Sequence, residues 1–244
     1  MLSEHYNAPE IRSEEEKRDV QRRRLLITID GPSGVGKSTV AKFLAARLGY
    51  VYLDTGALYR AIAWKVQQEQ LDATSLGQIK SLLARTVLRL MPGKDGLSIW
   101  VDGQTIDQKA LRTPSISQLA SCVAALQPVR EWLLPVQREI GGEVGIVAEG
   151  RDMGTRVFPS ADVKFYLDAD LEVRANRRQQ ELVQQGKTIH LKTVRDDMAV
   201  RDDRDRTRSV DPLRPASEAF MIDTSHRSVE EVVGQMMKII TDRL

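Results

Sequence analysis

This sequence predicts a three-layer αβα domain built on a central parallel sheet, and three observations predict it. Short apolar runs of strand length alternate with segments of helix length through most of the 244 residues. The first such run leads into a glycine-rich loop and then a helix. Near residue 72 the texture changes, and the stretch to about 113 reads as an inserted small α/β element. Strands that alternate with helices argue a parallel sheet covered on both faces.

The elements follow in order. Residues 1–23 are polar and highly charged, with Glu14-Glu15-Glu16 and Arg22-Arg23-Arg24 near their end. They read as a flexible extension, and the arginines as a solvated lead-in rather than a partner contact. Residues 25–29 form the first strand, 37–48 a helix and 51–53 a second strand, after which Thr55 caps a helix to about 68. Residues 72–89 read mostly as helix, with Leu76, Ile79, Leu82 and Leu83 on one face. Strands at 87–91 and 97–101 flank Pro92-Gly93-Lys94-Asp95-Gly96, a hairpin signal. Thr113-Pro114 is an N-cap followed by proline at the first helical position. That helix runs toward 126, and Pro128 opens another toward 140. Strands at 145–148 and 163–167 precede a helix capped by Asp170 and a charged helix over 191–205. The last strand is 220–222, and Ser228-Val229-Glu230-Glu231 fits a capping box that opens the final helix.

Composition excludes several classes. The 36 basic and 34 acidic residues leave a formal net charge of +2, so nothing global asks for nucleic acid and anion binding must come from local clusters. No apolar run is long enough to span a bilayer, and the N-terminus is polar rather than signal-like. Cys122 is the single cysteine, so a reducing, cytoplasmic setting is expected. It lies in the apolar run Leu119-Ala120-Ser121-Cys122-Val123-Ala124 and reads as core packing rather than a nucleophile. His5, His190 and His226 lack metal-ligand spacing.

The glycine-rich junction is Gly31-Pro32-Ser33-Gly34-Val35-Gly36-Lys37-Ser38, with Thr39 after it. It satisfies G-x-x-x-x-G-K-[ST] between a predicted strand and a predicted helix, the context that makes the pattern a strong phosphate-loop signal. Its glycines let backbone N–H groups converge on phosphate oxygens at the positive end of a helix. Lys37 brings a charge to the β- and γ-phosphates, and the Ser38 hydroxyl suits Mg²⁺. Ile146-Val147-Ala148-Glu149 is a strand ending in an acid, a weak signal that places Glu149 near the same ion through water.

A phosphate loop explains one nucleotide and leaves the acceptor open. Asp54-Thr55-Gly56-Ala57-Leu58-Tyr59-Arg60 and Gly150-Arg151-Asp152 both follow strands, where a doubly wound sheet binds ligands. In Arg201-Asp202-Asp203-Arg204-Asp205-Arg206-Thr207-Arg208, positions 201, 204, 205 and 208 share one face if the segment stays helical. Guanidiniums on that face suit a dianionic monophosphate. From this run alone a solvated, salt-bridged helix is the simpler reading, and the other arginine loops reverse the preference.

Four motifs together now resemble those of bacterial cytidylate kinases: Ile29-Asp30-Gly31-Pro32-Ser33-Gly34, Leu53-Asp54-Thr55-Gly56-Ala57-Leu58-Tyr59-Arg60, Glu149-Gly150-Arg151-Asp152-Met153-Gly154-Thr155 and Arg201-Asp202-Asp203-Arg204-Asp205-Arg206. The resemblance runs in the same order over roughly residues 25–243. It implies a P-loop NTPase fold over 24–243, with a nucleoside-monophosphate-binding insert at about 72–113 and a short lid at about 177–195. It also implies transfer of a phosphoryl group from Mg·ATP to CMP or dCMP. Carried over, Arg60, Arg151 and Arg208 grip the monophosphate, and Arg201 and Asp205 meet phosphate and ribose. Thr55 stands where a serine also occurs in the family, and it and Tyr59 join the acceptor site. Ser121, Arg130 and Asp152 read the cytosine edge, whose amino donor suits a carboxylate and whose O2 and N3 suit a guanidinium. Arg174, Arg177 and Arg178 begin the lid, and one of them is expected to approach the transferring phosphate on closure. Lys37, Arg151, Arg208, Arg177 and Arg178 make up the catalytic set. Small nucleotides are the implied partners, with a monomer as the common state and no nucleic acid or membrane.

The rivals are a small P-loop kinase with another acceptor, a P-loop switch or nucleic-acid-dependent ATPase, and a binding protein with a vestigial loop. A non-phosphorylated acceptor leaves Arg60, Arg151 and the Arg201 face unexplained. The switch or ATPase lacks its signatures, with no N-K-x-D stretch and only 5% aromatic residues to build a strand-binding surface. Intact Lys37 and Ser38 disfavour the last.

Overall fold

The computed structural model describes residues 24–93, 96–140 and 145–243. The expected extension over 1–23, and Lys94 and Asp95 at the expected hairpin tip, lie outside them. Five parallel strands form the main sheet: β1 (Leu26–Asp30), β2 (Val51–Asp54), β6 (Ile146–Gly150), β7 (Val163–Asp168) and β8 (Phe220–Asp223). Their spatial order is β2-β6-β1-β7-β8, which puts β1 at the centre. Helices α1 (Lys37–Leu48) and α9 (Val229–Thr241) pack on the sheet through Val40, Leu44, Val233, Met236 and Ile240, all buried with Ile29, Val147 and Phe165. This is the expected central parallel sheet with flanking helices.

Between β2 and β6 the chain builds a second body. Helices α2 (Thr55–Gln68), α3 (Leu76–Ala84), α4 (Gln108–Leu111), α5 (Pro114–Val123) and α6 (Gln127–Glu139) surround a three-stranded antiparallel sheet of β3 (Leu88–Gly93), β4 (Gly96–Val101) and β5 (Gln104–Thr105). Its own core includes Leu58, Ile62, Ile79, Leu82, Val123 and Leu133. Two further helices, α7 (Leu171–Gln184) and α8 (Leu191–Thr207), form a hairpin beside the loop after β1 and share a small cluster of Ala175, Leu182, Val194 and Met198.

Two local expectations need correction. The helix expected over 72–89 is only α3, and Leu76 at its start is 50% exposed. Asp72 instead makes a local turn, its Oδ1 accepting from Thr74 N at 2.8 Å and Thr74 Oγ1 at 2.7 Å. At the other end Thr86 Oγ1 donates back to Leu82 O, and Val87 N is drawn to Asp102 Oδ1, which starts the strand early. Thr55 does not cap α2. Asp54 does, accepting from Ala57 N at 2.9 Å, while buried Thr55 sits in the first turn and donates to Glu149 O at 2.7 Å. Thr113 caps α5 ahead of Pro114, and the Ser228–Glu231 capping box is complete.

Gly31 follows the central strand with φ of +150°, and a Cβ there would stand 2.1 Å from Leu167 O on β7. That oxygen is backbone and has nowhere to go. Gly31→Ala is therefore expected to cost about 2 kcal/mol or more, roughly 4–8 °C in Tm for a chain of this size. Thermal melts followed by circular dichroism check it, and superimposable curves would refute the clash.

Candidate active site

The loop from Gly31 to Ser38 joins the buried end of β1 to the first turn of α1. Gly34 and Gly36 hold φ of +77° and +88°, which turns successive N–H groups toward one side. Lys37, in the first turn of α1, is 6% exposed, and its Nζ donates to Pro32 O at 2.6 Å. Burial pushes its pKa down to about 7, helped by repulsion from Arg151 and Arg201 and opposed by Glu149 and Asp30.

Glu149 lies beside it at the end of β6, in register with Asp54 of β2. It accepts from Tyr52 Oη and lies within hydrogen-bond reach of the Ser38 hydroxyl. Burial raises its pKa, and the charge of Asp54 raises it further. An oxygen-only set of one hydroxyl and one carboxylate, with a second acid alongside, fits a Mg²⁺ ion shared with phosphate oxygens. Among the described residues no cluster of three or more His, Cys, Asp or Glu could hold a metal.

Opposite the loop stands a wall of arginines. Arg60 on α2 donates to Asp54 Oδ2 at 2.7 Å. Arg151, just after β6, donates from Nε to Asp205 Oδ2 at 2.9 Å. Asp205 is buried; despite that burial, Arg151 and Arg201 hold its carboxyl below the usual carboxylate range. Arg201 on α8 keeps a buried Nε with no hydrogen-bond partner. Burial lowers its pKa to about 10, aided by Arg151 and Arg60. Arg60 and Arg151 are thus each paired with an aspartate, and Arg60, like Arg201, keeps an unpartnered buried Nε, a grouping of cations that suits a phosphate.

At the far end Arg130 of α6 is 4% exposed and donates to Asp152, to Ala124 O at 3.1 Å and to Asp211 Oδ2 at 2.9 Å. Its guanidinium lies 5.5 Å from the Tyr59 ring centroid. Burial, tempered by Arg130, pushes the Tyr59 hydroxyl up to about 12. Ser121 Oγ donates to Asp205 Oδ1 at 3.3 Å. Arg208 donates to Asp211 O at 2.8 Å from Nε, and its Nη2 lies 3.5 Å from Asp152 Oδ1.

One cleft of about 770 Å³ runs through all of this. The candidate site residues singled out in the sequence line it except Gly31, Pro32, Arg174 and Arg204. Gly31 is pressed against Leu167, and Pro32 contributes the carbonyl that holds Lys37. The face expected on α8 is only partly right. Arg208 is the C-cap, yet its helical φ of -56° and its N–H bond to Arg204 O at 3.0 Å keep its side chain on the face with Arg201 and Asp205, whereas Arg204 does not line the cleft. Arg174 is buried and fixed, donating to Ala169 O at 2.9 Å, to Ser33 O at 3.0 Å and to Asp202. Arg177 donates to the carbonyls of Thr224 and Ser225 beyond β8. Arg178 is held by Glu181 of its own helix at 2.8 Å.

The sequence reading did not single out Tyr52, Asp202 or Asp211. Asp202 Oδ1 also lies 3.3 Å from Ser33 N, so the loop is gripped by both helices of the α7–α8 hairpin. The charged run contained the signal for Asp202 without saying which acids turn inward. Nothing local marks Tyr52.

A phosphate loop facing an arginine wall across one cleft, on a parallel αβα sheet, defines a P-loop nucleotide-binding protein of the kinase type. A statistical model of the cytidylate kinase family matches residues 27–242, and the chain belongs to that family. Cytidylate kinase of Bacillus subtilis is 41% identical over 221 residues, covering 91% of this chain and 98% of that one. A bifunctional pantoate ligase/cytidylate kinase of Synechococcus is 45% identical over 220 residues, covering 89% of this chain, which spans only 40% of that longer protein. Among solved structures, an uncharacterized protein from Eubacterium ventriosum shares the fold, with a TM-score of 0.50, 14% identity and coverage of 90% and 99% of the two chains.

The depressed Lys37 makes a proton the expected passenger of polyphosphate binding. A bound triphosphate restores the pKa toward its ordinary value, so the complex binds more protons than the empty site. Uptake should approach one proton near about pH 8 and vanish below about pH 6, where Lys37 is already charged. Calorimetry in two buffers of different ionisation enthalpy measures it, and equal uptake in Lys37→Met would contradict the assignment.

Proposed function

We propose that this protein transfers the γ-phosphoryl group of Mg·ATP to CMP and dCMP, giving CDP and dCDP. The observation that supports this most is the single cleft in which the phosphate loop faces Arg60, Arg151, Arg201 and Arg208, with Arg130 and Asp152 at its end. A dianionic acceptor phosphate placed on that wall lies across the cleft from the loop that cradles the donor phosphates. The names of the similar curated proteins point to the same reaction.

In this reading Gly34, Gly36 and their neighbours hold the donor phosphates through backbone N–H groups, and Lys37 neutralises charge on the transferring group. Ser38 would hold Mg²⁺ directly and Glu149 through water, and the ion would neutralise phosphate charge. Arg60, Arg151, Arg201 and Arg208 orient the acceptor phosphate in line, so no protein nucleophile is required. Asp205 anchors Arg151 and stands where a ribose would lie. Asp152 accepts the cytosine amino group, while Arg130 and Ser121 meet its acceptor edge. The inserted body over 72–113 works with α2 as the monophosphate-binding subdomain. The α7–α8 hairpin, over about 177–195, acts as the lid, which brings Arg178 toward the donor phosphates and excludes water. The chain is expected to act as a monomer in the cytoplasm.

A coupled ADP-release assay with Mg·ATP against CMP, dCMP, UMP, AMP and GMP tests the reaction. Turnover is expected on CMP and dCMP, and failure on both would end this reading. Lys37→Ala should lower kcat by at least about 100-fold, because its charge acts mainly in the transition state. Separately, Asp152→Ala and Arg130→Ala should each lower the ratio of kcat/KM for CMP over UMP by about tenfold or more. Ratios equal to wild type in both would discard the base-reading set.

A further inference from the structure

Asp211 is one of three non-glycine residues with a positive φ among the described residues, at 46°. A side chain in that region is kept there only when its surroundings hold it. Those surroundings are the acceptor end of the cleft. The Asp211 carboxylate accepts from Arg130 Nε at 2.9 Å and lies 3.6 Å from Arg156 Nε. Its backbone carbonyl accepts from both Nε and Nη2 of Arg208. One residue thus fixes two arginines, one with its side chain and one with its backbone.

We infer that Asp211 is a specificity-determining positioning residue, which frees Asp152 to discriminate a pyrimidine bearing an amino group from one bearing a carbonyl. The inference rests on the base-reading roles given above to Asp152 and Arg130. Its basis is charge balance. Arg130, Asp152 and Arg208 are all at least nine-tenths buried, and both arginines reach Asp152. Two guanidiniums and one carboxylate would leave Asp152 wholly committed to its cations. Asp211 supplies the second carboxylate, so each positive charge has its own partner. Three of the five N–H donors of Arg130 are then engaged by Asp211, Ala124 and Asp152, and two stay available for a ligand. Asp152 keeps acceptor capacity for an amino donor, and its negative charge repels a carbonyl oxygen in the same place.

Asp211→Gly separates the two functions of the residue. Glycine adopts the same backbone conformation without strain, so the carbonyl still holds Arg208 while the carboxylate is lost. The ratio of kcat/KM for CMP over UMP should fall about tenfold in Asp211→Gly. Asp211→Glu, with the carboxylate restored, should recover part of the ratio. A merely structural role would lower both substrates alike and leave the ratio in place. An unchanged ratio in Asp211→Gly, with a lowered ratio in Arg130→Ala, would overturn the role of Asp211. Unchanged ratios in both would overturn the base-reading assignment and this inference with it.

Discussion

The site depends on one buried carboxylate. Asp30 ends the central strand, and its two oxygens accept from Met153 N and Gly154 N, each at 2.8 Å. Met153–Val157 is a π-helical turn, whose first N–H groups have no partner within the turn. Without Asp30 they would be buried and unsatisfied, a cost of about 1–3 kcal/mol each. Burial raises the Asp30 pKa to about 6, against the lowering effect of those two N–H groups and of Lys37. At neutral pH the group is therefore largely ionised. It fastens the segment after β6 to the root of the phosphate loop, so Arg151 and Asp152 stand at a fixed distance from Lys37. Glu149, two residues before Arg151, is held by the strand register and by Tyr52. Both halves of the cleft are thus referred to one strand end.

That anchor was not legible in the sequence, and the reason is physical. Asp30 and Met153 are 123 residues apart, and a side chain that bonds a distant backbone leaves no periodic trace. What was legible is local. The phosphate loop declares itself by glycines whose positive φ no other residue adopts cheaply, and α1 begins and ends where the sequence places it. The capping box at Ser228 and the Thr113-Pro114 start follow from groups that must find partners within three residues. Periodicity succeeded for Arg201, Asp205 and Arg208 and failed for Arg204, because a repeat of 3.6 says which residues share a broad face and not which of them lie at its edge. Ser121 and Arg130 carried no mark of their own beyond the resemblance; burial among charges distinguishes them only once the fold is made.

The α7–α8 hairpin has a fixed root. Arg174 and Asp202 are 4% and 2% exposed, pair with each other and both bond Ser33 in the phosphate loop. Breaking one partner of such a buried pair leaves an uncompensated charge, at a cost of about 3–5 kcal/mol. Leu182, Val194 and Met198 give the hairpin a small core of its own. The tip near Gly186, with φ of +77°, touches none of these anchors in the hydrogen-bond pattern. The hairpin is thus fastened at its root, and Arg178, midway along α7, pairs with Glu181 of the same helix at 2.8 Å.

The same accounting explains why the cleft is full of ion pairs before any ligand arrives. Arg60, Arg130, Arg151 and Arg208 each lean on an aspartate or on a backbone carbonyl, so their geometry is set in advance. Pre-setting has a cost, since an incoming phosphate must compete with those carboxylates for the same N–H groups. Arginine softens that conflict because its five donors serve two partners at once. Arg201 and Lys37 have pKa values pushed down to about 10 and about 7 by burial and by Arg151 beside both, and burial lowers Arg208 as well. In the proposed reading, charge that burial disfavours is where an incoming phosphate gains most. In that reading the paired arginines supply direction for the acceptor phosphate, and the buried cations, Lys37 on the donor side and Arg201 on the acceptor side, supply attraction.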